Sequence, residues 1–354
     1  MYYAKSSGFS NAAIGRMETP IKMLIEHESD LMKKKGGTCD WLFNVEKSNR
    51  FGETIVGQAG FSMFKYAHEG GAAETDTVFE TYSKFIEHIQ FMKEFMITAE
   101  MMEDANYGVA AEAKRRIQNF TRAYYMTRNK ICEKVLTAGK STTTTFAGAT
   151  LDISTPDGLP IFWDAHKWGC VATTSGTQSN AFHGNLFRES ADDNAAYSPA
   201  RTEAAIYTLA SYLRNMKDEN GDPLGYTADT IILPGNRPAF EALVKRVCGS
   251  EYTTGSSNND INLHYGNWNI VILPSWIAVC DEMIVMSSEA NKALGGNMFF
   301  ERVPLTISNW VDHHTGNYIW NGRCRFGVGF GTYKHMVMGI HNEDVLNSTY
   351  ITVN

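Results

Sequence analysis

The longest uninterrupted helical pattern in the chain runs from Glu103 to Gly139, and it limits what the rest can fold into. Apolar residues recur at Val109, Ala113, Ile117, Phe120, Tyr124, Ile131 and Val135, and no proline interrupts them. Steps of three, four and seven put these residues in one stripe on one face of an α-helix. Asp104 is placed to cap the N-terminus and Gly139 to stop the C-terminus, so the pattern predicts a helix over 104–138. At 1.5 Å per residue, about thirty residues make a rod of roughly 45 Å. The far face carries Lys114, Arg115, Arg116, Arg122, Arg128, Lys130 and Lys134. A long rod with a narrow apolar stripe and a charged back is a beam against which other elements pack.

The 354 residues suffice for one large domain or two to three ordinary ones. With 43% hydrophobic and 20% charged residues the composition is globular, not disordered. A formal net charge of −7 argues against a surface that binds nucleic acid throughout, while a local basic patch remains open. No apolar run reaches the roughly 18 residues of a membrane helix. Residues 1–15 lack the charged-then-apolar order of a signal peptide. Cys39, Cys132, Cys170, Cys248, Cys280 and Cys324 form no CxxC pair, so they read as reduced, mostly buried thiols of a cytosolic chain and not as a zinc site.

Along the chain, residues 1–18 show no period and read as a flexible arm. Thr19 and Pro20 open an amphipathic helix through Ile21, Leu24, Ile25, Leu31 and Met32, which Gly36 stops. Lys33, Lys34 and Lys35 fit the negative end of its dipole. Gly52, Gly57, Gly60, Gly70 and Gly71 separate short β-like runs and predict a long projecting hairpin. Phe79, Phe85, Ile89, Phe91, Phe95 and Ile97 share one parity, while Lys84, His88, Gln90 and Glu94 share the other, with Ile86, Met92 and Met96 as exceptions. That alternation predicts one long strand or two in line, with a helix as the competing assignment. Residues 140–160 read as turn-rich strands. A second helix opens at Ser198-Pro199, with Ala205, Ile206, Leu209, Tyr212 and Leu213 on one face. Two short apolar strands, at 230–233 and 270–273, flank a helix over 238–247 and indicate an α/β unit. Strands follow over 283–287, 297–308, 317–328 and 336–340, with a hairpin turn at Thr315-Gly316.

Catalytic motifs are missing from this pattern. The chain holds no GxSxG, no GxxxxGK[ST], no HExxH and no strand–GxGxxG–helix, and nothing in it implies a cofactor or metal. Gly327, Gly329 and Gly331 lie in a strand with no helix after it, so they read as a bulged strand and not as a phosphate loop. His313 and His314 adjoin in a turn, where chelation of one metal by both is awkward. Asp164 and His166 form a candidate carboxylate–imidazole pair without a nucleophile nearby in sequence; structural hydrogen bonding is the simpler role. Asp218 to Asp222 reads as a turn, since a calcium loop needs a glutamate at its twelfth position.

Five stretches, in order, resemble tailed-bacteriophage major capsid proteins of the Hong Kong 97 fold, most of all the Mu-type major head subunits. His68-Glu69-Gly70-Gly71 and Glu74-Thr75-Asp76-Thr77-Val78-Phe79 resemble the return limb of the projecting E-loop. Met101-Met102-Glu103-Asp104-Ala105 resembles the opening of the spine helix. Asp157-Gly158-Leu159-Pro160-Ile161-Phe162, then His166 and Ser179-Asn180, resembles a run of the Mu-type group. Asp229 to Pro234 and Ile270 to Pro274 resemble the paired strands of the axial (A) domain, and Phe299 to Ile307, Phe326 and Met338-Gly339-Ile340 resemble the last strands of the peripheral (P) domain and the tail.

The resemblance implies an α+β capsid fold: an N-terminal arm with a short amphipathic helix over 1–44, an E-loop hairpin over 45–85, a P-domain over 86–145 and 290–331 built on the spine helix, and an A-domain over 146–289 and 332–354. It implies a non-enzymatic virion subunit that assembles in the bacterial host cytoplasm into hexamers and pentamers of an icosahedral shell around phage double-stranded DNA. Implied partners are other copies of the chain, scaffold, portal and decoration proteins, and packaged DNA without sequence preference; no membrane is implied. The helix stripe should be covered by C-terminal strands of the same subunit. On the E-loop, Phe61, Phe64, Lys65, Tyr66, Glu69, Glu74 and Asp76 are the candidates for contact with neighbours. For the basic face, Lys114, Arg115 and Arg122 above all, two roles stay open: facing DNA, or pairing with acidic residues of a neighbouring loop. An encapsulin-type nanocompartment shell shares the fold and is the main alternative; a cytosolic α/β enzyme with a site near Asp164 and His166 is the remote one. The short N-terminus implies a separate scaffold or none.

Family members that crosslink their shells join an E-loop lysine to an asparagine of a neighbour. Here the return limb Glu69 to Ala73 holds no lysine, and the nearest is Lys65. Boiled, denatured particles should therefore run as a single monomer band on a gel; a ladder of multimers would contradict this.

Overall fold

The computed structural model describes residues 11–58, 80–98, 108–168, 176–190, 194–253, 260–341 and 351–353, with single positions at 64, 66, 68–70, 72, 75, 100 and 192. Helix α1 (Asn11–Lys35) and the short helix α2 (Thr38–Leu42) lead into strand β1 (Asn44–Lys47). α1 starts at Asn11, so residues 11–18 are helical where a flexible arm was expected, and Pro20 lies inside the helix instead of opening it. Ala12, Ala13, Arg16 and Met17 are strong helix formers, which carries the helix upstream of the proline. Gly36 adopts φ +68° at its end, the left-handed stop expected there.

The long helix is α3 (Gly108–Thr137). Its expected cap, Asp104, lies outside the described residues. Gly139 ends the helix for a different reason from the one expected, since its φ is not left-handed. A Cβ there would fall 2.6 Å from Ile161 Cγ2 and 2.8 Å from the Phe162 ring, so glycine admits that segment against the helix end. Ile117, Phe120, Ile131 and Val135 are buried as the stripe requires, joined by Tyr125, Cys132 and Leu136. The side chains of Val109 and Ala113 lie outside the described residues.

The stripe is covered by a four-stranded sheet in the order β1-β13-β14-β4. Its members are β4 (Ile89–Ile97), β13 (Asn297–Val311) and β14 (Tyr318–Phe330), with β1 parallel to β13 and the others antiparallel. Ile117 packs with Trp320, Leu305, Ile307 and Phe95, and with Ile25 of α1. Phe95 sits 5.1 Å from the Phe120 ring and 6.3 Å from Trp320. Gly322 makes this contact possible, because a Cβ there would lie 2.3 Å from Phe120 Cζ. The turn between β13 and β14 closes through Asp312 N to Asn317 O at 2.9 Å, with Gly316 at φ +71°, the hairpin expected at Thr315-Gly316.

Strand β2 (Gly52–Gln58) pairs antiparallel with β3 (Glu80–Glu87) as a two-stranded ribbon. β3 and β4 are consecutive strands broken at His88, not one strand and not a helix. The break switches the buried parity. Lys84 and Ile86 turn inward in β3, as does His88 at the break, whereas Phe85 is exposed and Ile97 is buried in β4. The single parity expected from Phe79 to Ile97 therefore fails in β3. Gly327 and Gly329 explain it: Cβ atoms there would fall 2.8 Å from Glu87 O and 2.7 Å from Ile86 Cδ1. These glycines let β3 lie on β14. They do not form the bulge expected, since the register shifts fall at Glu301, Val303 and Thr306 on β13.

Two small pairs follow: β5 (Thr143–Phe146) with β6 (Ala149–Asp152), and β7 (His166–Lys167) with β8 (Thr177–Gln178). Ala147 at φ +49° and Gly148 at φ +86° close the first as a two-residue hairpin whose twist matches its strands. The second sheet has six strands in the order β11-β10-β12-β15-β9-β16. They are β9 (Ala181–Gly184), β10 (Thr230–Pro234), β11 (Asn269–Leu273), β12 (Glu282–Met286), β15 (Met336–His341) and β16 (Ile351–Val353). β10 and β11 run parallel through helix α5 (Pro238–Gly249), the α/β unit expected. Helix α4 (Pro199–Arg214) packs beside α5, and both bury Leu209, Leu213, Phe240 and Val244 against Ile231, Leu233 and Phe182. α4 stops at Arg214, and Ser198, which precedes it, makes no side-chain cap bond. Helix α6 (Ser288–Ala293) precedes β13. Ile131, Val135 and Leu136 share one cluster with Phe299 and Phe326 of the first sheet and with Ile284 and Met338 of the second, so the C-terminal half of α3 joins both sheets.

His335, just before β15, is fully buried and 2.9 Å through Nε2 from Asn297 Oδ1, while Asn297 Nδ2 donates to Leu42 O at 2.9 Å. Burial pushes its pKa down to about 3. The folded chain thus holds it neutral while an unfolded histidine titrates near 6.5. Its contribution to stability is complete above about pH 6.5 and is lost as pH falls toward 3. The melting temperature should fall from pH 7 to pH 4, and by less in His335→Gln; equal slopes would contradict this. Replacing Ile117 by Asp should remove roughly 4 kcal/mol or more, since a charge would enter a closed apolar contact. Denaturant titration tests it, and a variant of near-normal stability would show that the stripe is not buried.

Candidate inter-subunit surface

The ribbon β2–β3 is fixed at its root by side chains that face inward. Lys84 Nζ donates to Ser154 Oγ at 2.7 Å and pairs with Asp152. Burial opposes ionisation of Asp152, but bonds from Lys84 and Ser154 outweigh it and hold the carboxyl below its usual range. His88 Nε2 lies 2.8 Å from Ser48 Oγ, and burial lowers its pKa, so no charge is forced on this anchor. Facing outward, Phe51 and Phe85 are exposed, and Val56 and Tyr82 are exposed at the edge of a cleft shared with Trp168 and Tyr333. Phe51 stacks on Phe85 at 6.5 Å, and Arg325 lies 5.3 Å over the Phe51 ring. The surface is apolar with acidic borders at Glu80 and Glu87, which are exposed too.

Of the expected E-loop contact residues, Phe64, Tyr66 and Glu69 are described and exposed. Phe61, Lys65, Glu74 and Asp76 lie outside the described residues. The sequence reading did not include Phe51, Val56, Tyr82 and Phe85, because the parity rule placed Phe85 in the core.

The basic face of α3 is less uniform than its sequence. Arg128 is buried: its Nη2 pairs with Asp40 Oδ1 at 2.9 Å and its guanidinium lies 5.0 Å over the Phe299 ring. It holds α2 to α3 and to β13 and is not part of an outward face. Arg122 is 3.7 Å from Glu28 of α1, whose Oε1 also accepts from Gln118 at 2.7 Å. Arg115, Lys130 and Lys134 are exposed, and the Lys114 side chain lies outside the described residues. Lys130 and Lys134 border a groove of about 540 Å³ with Trp276, Ile277 and Val279, where Lys140 is tied to Glu282 at 2.5 Å.

The sequence pairing of Asp164 with His166 is replaced by another. His166 Nδ1 is 2.7 Å from Asp157 Oδ2, Nε2 is 3.2 Å from Ile161 O, and the ring stacks on Tyr333 at 3.8 Å. Burial would raise the Asp157 pKa, but the bond to His166 and its charge win and lower it. Both ring nitrogens are occupied and the ring is fully buried, so this group locks the 157–166 loop to Tyr333. A nearby cleft of about 320 Å³ is lined by Tyr82, Trp168, Tyr333 and Lys334, and Lys334 is paired with Glu219 at 2.6 Å. His313 and His314 lie in the β13–β14 turn, and among the described residues no three metal-capable side chains converge. Asp218 Oδ1 accepts from Asn220 N at 2.8 Å and Asp222 N at 2.9 Å, which makes the expected turn. The five described cysteines are buried thiols, and Cys170 lies outside the described residues.

No protein-family model matches the chain, and no curated protein matches it. Solved structures do. A chain from Mycobacterium phage Patience aligns with TM-score 0.50 at 12% identity, covering 98% of this chain and 91% of that one. The capsid of Myoviridae phage XM1 gives TM-score 0.49 at 12% identity over 86% and 92%, and the bacteriophage PhiM1 mature capsid gives 0.46 at 11% over 86% and 86%. The fold assignment rests on the first, whose match runs almost end to end. With its long helix under one sheet, its ribbon and its second, larger sheet, the chain is an α+β protein of the Hong Kong 97-like fold.

Proposed function

We propose that the chain is the major shell subunit of a tailed-phage head, assembling with other copies into hexamers and pentamers of an icosahedral shell around double-stranded DNA. The observation that carries this reading is the end-to-end likeness of fold to the chain from Mycobacterium phage Patience. The surface supports it. Phe51, Val56, Phe64, Tyr66 and Phe85 are large apolar side chains left exposed on and beside one ribbon, more than a lone soluble subunit normally displays in one place. Repeating contacts around a five-fold or six-fold axis need two different faces of the same chain, one to give and one to receive.

In this reading α1 and α2 belong to the arm (1–44), β1 and the ribbon to the E-loop (45–85), β4, β13 and β14 with α3 to the P-domain (86–145 and 290–331), and the six-stranded sheet to the A-domain (146–289 and 332–354). The role is structural, in the virion, after assembly in the host cytoplasm. Scaffold, portal and decoration proteins are partners of the assembled particle, and DNA binds through charge without sequence preference. The words at Asp157 to Phe162 and Ser179-Asn180 support kinship with Mu-type head subunits.

Negative-stain microscopy of the expressed chain tests the reading. Closed shells of tens of nanometres are expected; a discrete small oligomer at every concentration and salt would contradict it. In particles from the native source, DNA inside is expected, and a protein cargo instead would point to an encapsulin-type compartment.

A further inference from the structure

The C-terminal half of α3 borders a groove of about 540 Å³ that neither the core nor the ribbon uses. One wall is Lys130 and Lys134 of α3, a second is Phe146 of the β5–β6 hairpin, and the third is the segment 275–279 that follows β11. Four lining residues are charged: Lys130, Lys134, Lys140 and Glu282. Lys140 and Glu282 pair at 2.5 Å and cancel. Lys130 and Lys134 are exposed, and neither has an ion-pair partner among the described residues. The groove therefore carries a net charge of +2 in a chain whose formal net charge is −7. Arg237, which donates to Val279 O, adds a further cation beside the third wall.

The third wall is apolar. Trp276, Ala278 and Cys280 are buried, while Ile277 is 80% exposed and Val279 69%. Asn236 fixes this alternation, accepting from Ala278 N at 3.1 Å and donating to Ala278 O at 2.9 Å. Turning Ile277 and Val279 inward would break both bonds and bring Trp276 into water, so the backbone holds two branched aliphatic side chains outward. The wall is also tied to α3. Ser275 donates to the buried Glu133 of α3 through its backbone N at 3.3 Å and through its hydroxyl. Lysines and aliphatic side chains thus face one groove at fixed positions before anything binds there.

We propose that this groove docks an acidic amphipathic helical segment of another protein, with carboxylates on Lys130 and Lys134 and an apolar face on Ile277 and Val279. Charge complementarity makes the segment acidic. The two lysines stand one turn apart on α3, about 6 Å along its axis. Glutamates at i and i+4 on a docked helix reproduce that spacing. The aliphatic pair argues against nucleic acid, because a phosphate backbone would satisfy the lysines and leave Ile277 and Val279 in water. The ribbon of a second copy fits poorly: its exposed border acids, Glu80 and Glu87, lie seven strand residues apart, about 23 Å. The inference goes beyond the shell reading and does not need it, since one subunit holds the whole groove.

Fluorescence anisotropy with three labelled probes tests it: a helical peptide of leucine and glutamate with glutamates at i and i+4, the same peptide with lysine for glutamate, and a short DNA duplex. Binding is read on the full chain, both assembled and as dissociated subunits. The glutamate peptide should bind at least tenfold more tightly than the other two probes in one of these states, and more weakly as salt is added. That comparison uses the unaltered chain and does not depend on how variants fold. Lys130→Glu with Lys134→Glu and, separately, Ile277→Ser with Val279→Ser should each weaken the peptide tenfold or more at an unchanged melting temperature. DNA bound as tightly as the peptide, and unaffected by the serines, would make the groove a nucleic-acid site and overturn the inference. No binding of the peptide in either state, or equal binding to both variants and the wild type, would overturn it too. Self-assembly lost in the lysine variant, with no peptide bound by the wild type, would assign the groove to a second copy and contradict the proposal. Shells seen by microscopy keep the shell reading standing whichever result is obtained.

Discussion

The subunit depends on one contact, the apolar face of α3 against the strands that return from the far end of the chain. Ile117, Phe120, Ile131 and Val135 are separated from Phe299, Trp320 and Phe326 by some 200 residues of sequence, yet they close on one another. Four such buried side chains represent on the order of 6–12 kcal/mol of gross transfer free energy. That is comparable to the whole net stability of a typical domain. The contact also sets the remaining geometry. With β13 and β14 fixed on α3, Gly327 and Gly329 bring β3 onto the same sheet and so aim the ribbon, while Ile131 and Leu136 carry the core onward to the six-stranded sheet.

How far the chain could be read in advance varied with the kind of signal. The α3 stripe, the β10–α5–β11 unit and the β13–β14 hairpin were legible because each rests on a period or a turn that local sequence controls. The ribbon root was not. Lys84 and His88 look solvent-facing by type, and only Ser154, Asp152 and Ser48, distant in sequence, make their burial tolerable. Arg128 misled in the same way. Its spacing on α3 assigns it to the basic back, but Asp40 and the Phe299 ring draw it inward. His166 was correctly read as a structural group, but its partner is Asp157 instead of Asp164, a choice made by loop geometry that spacing does not encode.

The exposed surface shows the same division. The ribbon was expected from its glycines, and Phe64, Tyr66 and Glu69 are exposed there. The groove beside α3 was half legible. Lys130 and Lys134 belong to the basic back that spacing assigns, but Ile277 and Val279 resemble core, and only the bonds from Asn236 to Ala278 hold them outward. A subunit with a closed core and exposed apolar outer faces is incomplete in its surface, which is what repeated assembly of one chain requires.

The central claim is that the ribbon face is covered by other copies. Hydrogen exchange read on assembled particles and on subunits dissociated from them tests it most directly. The amides at the exposed strand positions of the ribbon should exchange slowly in the particle and rapidly in the free subunit. Equal exchange at these amides in both states would contradict the account.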